Sequence, residues 1–145
     1  MSDKQLGFIG VGVMGRPMAR RLLEQGHALV IFDKDPAALA ELAGLGARVA
    51  DSVRDVADNA EIIFTSLPGP AIFKAVALGQ GGIVEGTAVR ILVDLSTVGS
   101  RAEQEVAAGL LKLGIETVDA PVSGGAAGAA RGALAIMVAG NPEAV

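Results

Sequence analysis

Three sets of residues have the types and spacing that chemistry requires. The first is Gly10, Gly12 and Gly15, set in Phe8-Ile9-Gly10-Val11-Gly12-Val13-Met14-Gly15. An apolar run enters this stretch and a run with helical spacing, from Arg16 to Leu23, leaves it. In that setting the first glycine allows a sharp turn, the second lets backbone approach a pyrophosphate, and the third lets helix and strand pack closely. The helix start adds unpaired N–H groups and the positive end of a dipole. The competing reading is a turn that serves structure alone. The second set is Asp33, which closes the apolar run Ala28 to Phe32 about 20 residues past the motif. A carboxylate there accepts hydrogen bonds from a ribose diol and repels a 2′-phosphate, favouring NAD over NADP. Lys34 beside it works in the other direction. Asp33 or Asp35 also reads as the cap of a helix that begins at Pro36. The third set is Ser123-Gly124-Gly125, inside the glycine- and alanine-rich stretch Pro121 to Gly132. Backbone N–H groups there can form an anion-binding concavity, with the Ser123 hydroxyl as a further donor and a small carboxylate as occupant. A low-complexity linker is the alternative, but strands expected on both sides argue for an ordered loop.

The elements that must hold these residues alternate along the chain. Leu6 to Ile9 reads as the first strand, and the helix after it ends at Gln25-Gly26-His27, with Gly26 just past the cap. Ala28 to Asp33 is a second strand, buried on both faces by its continuous apolar character. Pro36 to Leu45 is a short helix ended by Gly44 or Gly46, Ala47 to Ala50 a third strand, and Asp51 or Ser52 the cap of a helix reaching Asn59. Glu61 to Leu67 is the fourth strand, broken by Pro68-Gly69-Pro70. A helix from Ile72 to Leu78 leads through a Gly79 to Gly82 turn and a polar link at Glu85-Gly86 to a fifth strand, Val89 to Asp94. Arg101 to Leu113 is a helix stopped by Gly114, with Thr97 and Ser100 as candidate caps, and Ile115 to Ala120 is strand six. Leu134 to Ala139 is a strand beyond the glycine loop. Such alternation implies right-handed crossovers and an α/β fold with a doubly wound, mostly parallel sheet. Ligands in that architecture lie beyond the carboxyl ends of the strands. Leu67, Pro68 and Thr97 therefore stand at the rim, where strand ending and ligand contact are both open readings.

The 145 residues amount to one domain. Apolar residues make up 51% of the chain, yet no uninterrupted apolar run reaches the ~18 residues a membrane span needs. The polar start, Met1 to Gln5, does not read as a signal peptide. The absence of cysteine excludes disulfide and thiol chemistry and fits a cytoplasmic protein. A net charge of −4 with scattered Lys and Arg argues against nucleic acid as a partner. Tyr and Trp are absent, and the apolar excess suggests a face meant for another domain or subunit.

Four blocks in order carry a resemblance to a family. Gly10-Val-Gly-Val-Met-Gly-Arg-Pro-Met-Ala19, Leu67-Pro68, Val93-Asp-Leu-Ser-Thr97 and Asp119-Ala-Pro-Val-Ser-Gly-Gly125, with Gly128-Ala129 and Ile136-Met137-Val138, span nearly the whole chain. The chain resembles the N-terminal, Rossmann-like dinucleotide-binding domain of the β-hydroxyacid dehydrogenases, which include 3-hydroxyisobutyrate dehydrogenase and tartronate semialdehyde reductase. The resemblance implies that Gly10, Val11, Gly12, Val13, Met14 and Gly15 bind the pyrophosphate of NAD, or of NADP, and Asp33 the adenosine ribose. It implies Leu67 and Pro68 along the cofactor, Thr97 near the nicotinamide, and Ser123, Gly124 and Gly125 on the substrate carboxylate. The reaction would be reversible hydride transfer between nicotinamide and a short 3-hydroxy acid or its semialdehyde. Val13 and Leu95 depart from the family's commonest residues. Lys4, Lys34, Lys74 and Lys112 do not occupy the context of the family's proton-donor lysine, which is expected beyond Val145. The family's helical second domain, with its role in oligomer formation, is likewise expected outside this chain, which would leave this one a fragment inactive alone. A stand-alone dinucleotide-binding module and a 6-phosphogluconate dehydrogenase-like enzyme are the alternatives.

Overall fold

The computed structural model describes residues 5–145. Met1 to Lys4, most of the polar start read above, lie outside the described residues. Six strands form one parallel sheet: β1 Leu6–Ile9, β2 Leu29–Phe32, β3 Arg48–Val49, β4 Ile62–Thr65, β5 Ile91–Asp94 and β6 Glu116–Asp119, in the order β3-β2-β1-β4-β5-β6. Between them run α1 Gly15–Glu24, α2 Pro36–Gly44, α3 Val53–Asn59, α4 Pro70–Leu78 and α5 Ser100–Leu111. The strand order turns back on either side of β1, so the carboxyl ends of β1 and β4 open a crevice between diverging loops.

Strand alternation explains the two cores. Ile9, Val30, Ile63 and Leu92 point to one face, where α3, α4 and α5 supply Val56, Phe73, Ala77, Val106 and Leu110. Phe8, Leu29, Ile31 and Val118 point to the other, against Met18 and Ala19 of α1 and Leu42 of α2. Sequence rules set the helix ends. α1 closes with Gly26 at φ 89°, its N–H donating to Leu23 O while His27 N–H donates to Leu22 O. Ser52, not Asp51, caps α3 by accepting from Asp55 N at 3.0 Å.

Three expectations are corrected. Neither Thr97 nor Ser100 caps α5: Gly99 stands there at φ 88°, without a side-chain bond. The link before β5 is a 3-10 turn, Ile83–Glu85, whose Ile83 is fully buried. The glycine loop after β6 is not a loop throughout. Val122–Ser123 (β7) pairs antiparallel with Ala135–Ile136 (β8), and Gly125–Arg131 between them is a helix, α6. The alanines give that run helix propensity, and Ala129 packs it against the core beside α1. Met137 and Val138 extend past β8, with Met137 N–H donating to Pro121 O at 3.1 Å, and Ala139 makes a further bridge to Asp119. Among the described residues no helix is long and apolar enough to cross a membrane.

Candidate functional site

The three glycines of the turn meet three different surroundings. Gly10, at φ 91°, presses against the end of β4, so that a side chain would collide with the Ser66 carbonyl. At Gly15 a Cβ would collide with the Gly10 carbonyl and stand 3.2 Å from the Phe8 ring, so this glycine lets α1 start directly under the turn. A Cβ on Gly12 would meet nothing within 4 Å. Its open side faces a cleft, as backbone must where a phosphate is to come close. Arg16 N–H donates to Gly12 O at 2.9 Å, fixing the first helical turn, and no side chain caps the start of α1. The unspent N–H groups and the helix dipole together make that start a place for an anion.

Asp33 ties the end of β2 to this turn. Its Oδ2 accepts from Val11 N–H at 2.9 Å and its Oδ1 from Asp35 N–H at 2.9 Å. Asp35, not Asp33, is the cap of α2, accepting from Ala37 N–H at 3.0 Å. Each oxygen of Asp33 keeps a lone pair for a further donor.

Across the crevice a buried relay holds the ends of β4 and β5. Thr65, Asp94 and Asp119 sit side by side in the register of β4, β5 and β6. Asp94 Oδ1 accepts from Thr65 Oγ1 at 2.8 Å, from Ser96 Oγ at 2.7 Å and from Ser96 N–H at 3.2 Å. Ser96 Oγ in turn accepts from Leu67 N–H at 2.7 Å. The relay thus places Leu67-Pro68 and Thr97 on the same rim.

A cleft of about 1040 Å³ joins these parts. Its wall includes Gly10, Gly12, Val13, Met14, Gly15, Asp33, Leu67, Pro68, Thr97, Ser123, Gly124 and Gly125. Val11 is the exception among the expected residues. Its side chain is wholly buried in the core and its N–H is spent on Asp33. Ser123 ends β7 and Gly124 precedes α6, whose first turn no side chain caps. Sequence reasoning missed one wall: Val53 of α3, with Ile72, Ala75 and Val76 of α4, makes an apolar flank beyond Asp33. The signal was present, because α4 carries a second apolar stripe, Ile72 and Val76, besides the core pair Phe73 and Ala77. Glycine turn, carboxylate, apolar flank and uncapped helix start together fit an adenine dinucleotide laid across the strand ends. No group of three or more His, Cys, Asp or Glu among the described residues is placed to hold a metal ion.

Residues 5–145 match the family described as the NAD binding domain of 6-phosphogluconate dehydrogenase. The chain belongs to that family. Its relatives include 2-(hydroxymethyl)glutarate dehydrogenase of Eubacterium barkeri, 42% identical over 97% of this chain and 47% of the relative. The 3-hydroxyisobutyrate dehydrogenase of Pseudomonas aeruginosa is 37% identical over 95% of this chain and 47% of its own length. Among solved structures, Mycobacterium tuberculosis 3-hydroxyisobutyrate dehydrogenase with L-serine superposes with a TM-score of 0.89 at 32% identity, covering 97% of this chain and 48% of that one. The chain therefore spans about half the length of the curated relatives it matches. This NAD-binding domain has the Rossmann-like architecture expected from its strand and helix alternation.

Proposed function

We propose that this NAD-binding domain is the cofactor half of a hydroxy-acid dehydrogenase that acts on short 3-hydroxy acids or their semialdehydes. The observation that carries the reading is that one cleft is walled by both Gly10–Gly15 and Ser123–Gly125. A cradle for a pyrophosphate and a cradle for a carboxylate thus open on the same space. When bound, NAD supplies the hydride acceptor. Gly12 and the start of α1 hold the pyrophosphate by backbone N–H groups and the helix dipole. Asp33, already anchored to Val11, accepts from the ribose diol and repels a 2′-phosphate, so NAD is preferred to NADP. Leu67 and Pro68 lie along the cofactor, and Thr97 contacts it near the nicotinamide. Ser123, Gly124 and Gly125 orient the substrate by its carboxylate.

The proton that leaves the substrate hydroxyl goes to a lysine outside this chain, in the half that completes the enzyme. Proton transfer of that kind contributes about 10²- to 10⁴-fold to rate. That half covers the apolar strip Ile136, Met137 and Val138, which is exposed here, and joins subunits into a homo-oligomer. The protein works in the cytoplasm. The test is an assay of the longer protein carrying this chain for NAD reduction with 3-hydroxyisobutyrate, L-serine and 2-(hydroxymethyl)glutarate, each beside its methyl ester. Oxidation of at least one acid, with its ester rejected, is the expected result. Equal turnover of ester and acid overturns the carboxylate cradle, and no turnover of any short hydroxy acid overturns the activity.

A further inference from the structure

The relay at the β4 and β5 ends is backed by a residue with no part in the site so far. α5 buries Ala102, Glu103, Val106 and Leu110 against the sheet, so Glu103 occupies a core position on an otherwise apolar stripe. It is 6% exposed and Asp94 is wholly buried. Both Glu103 oxygens and Asp94 Oδ2 lack an N–H or O–H donor among the described residues. The side chains that act on the Glu103 carboxyl are acids instead, Asp94 first and Asp119 after it. The cations on α4 and α5 are occupied elsewhere, since Lys74 and Arg101 both pair with Glu105 on the outer side of α5. Two carboxylates cannot sit together in such a place unless one keeps its proton.

The bonds around Asp94 say which one does. Its Oδ1 takes three donors, as a carboxylate does, whereas Glu103 has none. Asp119 is partly exposed and can be met by water. We propose that Glu103 is a positioning residue: its carboxylic acid donates to Asp94 Oδ2, and Asp94 thereby holds the Ser96–Leu67 relay that sets the cofactor-facing rim. The proposal rests on the reading of this cleft as a dinucleotide site. Burial first, and the charges of Asp94 and Asp119 after it, raise the Glu103 acid to about 10. Burial and Asp94 raise Asp119 as well, partly offset by Glu103. The native chain therefore keeps a proton on Glu103 that the unfolded chain releases above the ordinary value of 4.5. Stability tied to that proton is complete below pH 4.5 and is lost as pH rises toward 10.

The experiment compares the full chain with Glu103→Gln and Glu103→Ala in three readouts: NADH affinity, hydrogen exchange of the Leu67 amide, and unfolding temperature between about pH 6 and 9. Glutamine keeps an N–H donor toward Asp94 but has no proton to lose. It is expected to hold NADH affinity within about two-fold, keep Leu67 protected, and flatten the fall of unfolding temperature with pH. Alanine removes the donor and is expected to weaken NADH binding and speed Leu67 exchange by about ten-fold. Unchanged Leu67 exchange in the alanine variant, or glutamine failing as badly as alanine, overturns the proposal. If alanine does not fold, the pH series of glutamine against wild type decides, and equal slopes overturn it. The exchange readout needs no cofactor. A wild-type chain that binds no NADH refutes the dinucleotide reading while Leu67 still judges the relay.

Discussion

Gly12 and Gly15 are three residues apart, yet alanine should damage different properties at each. At Gly15 the new methyl must displace the Gly10 carbonyl, which is backbone and cannot swing aside, and it also crowds the Phe8 ring at 3.2 Å. Overpacking costs about 1–3 kcal/mol, and a backbone obstacle belongs at the upper end. The better helix propensity of alanine returns about 1 kcal/mol, leaving a net loss near 2 kcal/mol. For a chain of this size that lowers the unfolding midpoint by about 4–8 °C. At Gly12 the methyl meets nothing within 4 Å, and the backbone is not in the left-handed region. Stability should change by no more than about 0.5 kcal/mol. In the proposed cofactor site the methyl instead stands where the phosphate approaches. Loss of one hydrogen bond to a charged group, about 1.5–3 kcal/mol, weakens binding about 10- to 100-fold. Thermal unfolding followed by circular dichroism and an NADH fluorescence titration measure the two effects separately. Gly12→Ala unfolding as early as Gly15→Ala, or binding NADH as tightly as wild type, would refute this separation of roles.

Other substitutions test the remaining parts. Asp33→Asn removes the charge proposed to repel a 2′-phosphate while keeping an acceptor for Val11 N–H; the ratio of NAD to NADP affinity should fall, and an unchanged ratio would leave Asp33 a structural tie only. Ser96→Ala leaves the Leu67 N–H without its acceptor and takes one donor from Asp94, so a loss of about 1–3 kcal/mol is expected in denaturant unfolding. Phe73→Ala empties a fully buried site between α4 and the sheet and should cost about 3–5 kcal/mol with little direct effect on the cleft, since Phe73 is not in its wall.

What was legible in the sequence is what local rules decide. The apolar runs of β1 and β2 pack on both faces, those of β4 and β5 bury one face and half-bury the other, and all four read as strands for that reason. Ser52, Pro36 and Gly26 mark helix ends because their effects act within one turn. The glycine turn was legible because its three constraints fall within six residues. Long-range packing decides the rest. Asp33 reaches Val11 across 22 residues, so its bond to the turn has no signature in spacing. Glu103 reads as a surface residue by type, and only the docking of α5 on β6 buries it. α6 was hidden because its glycines argue against a helix, and its burial beside α1 overrides that preference.

We propose that this chain alone binds the dinucleotide and that turnover needs the lysine placed outside it. Calorimetric titration of the chain with NADH, followed by an assay for hydroxy-acid oxidation on the same sample, tests both halves. Saturable binding at one site per chain, abolished or weakened by Gly12→Ala, with no turnover, is the expected result. Absence of binding by the folded wild-type chain would contradict the dinucleotide site. Robust turnover by these 145 residues would contradict the assignment of the proton donor to a lysine elsewhere.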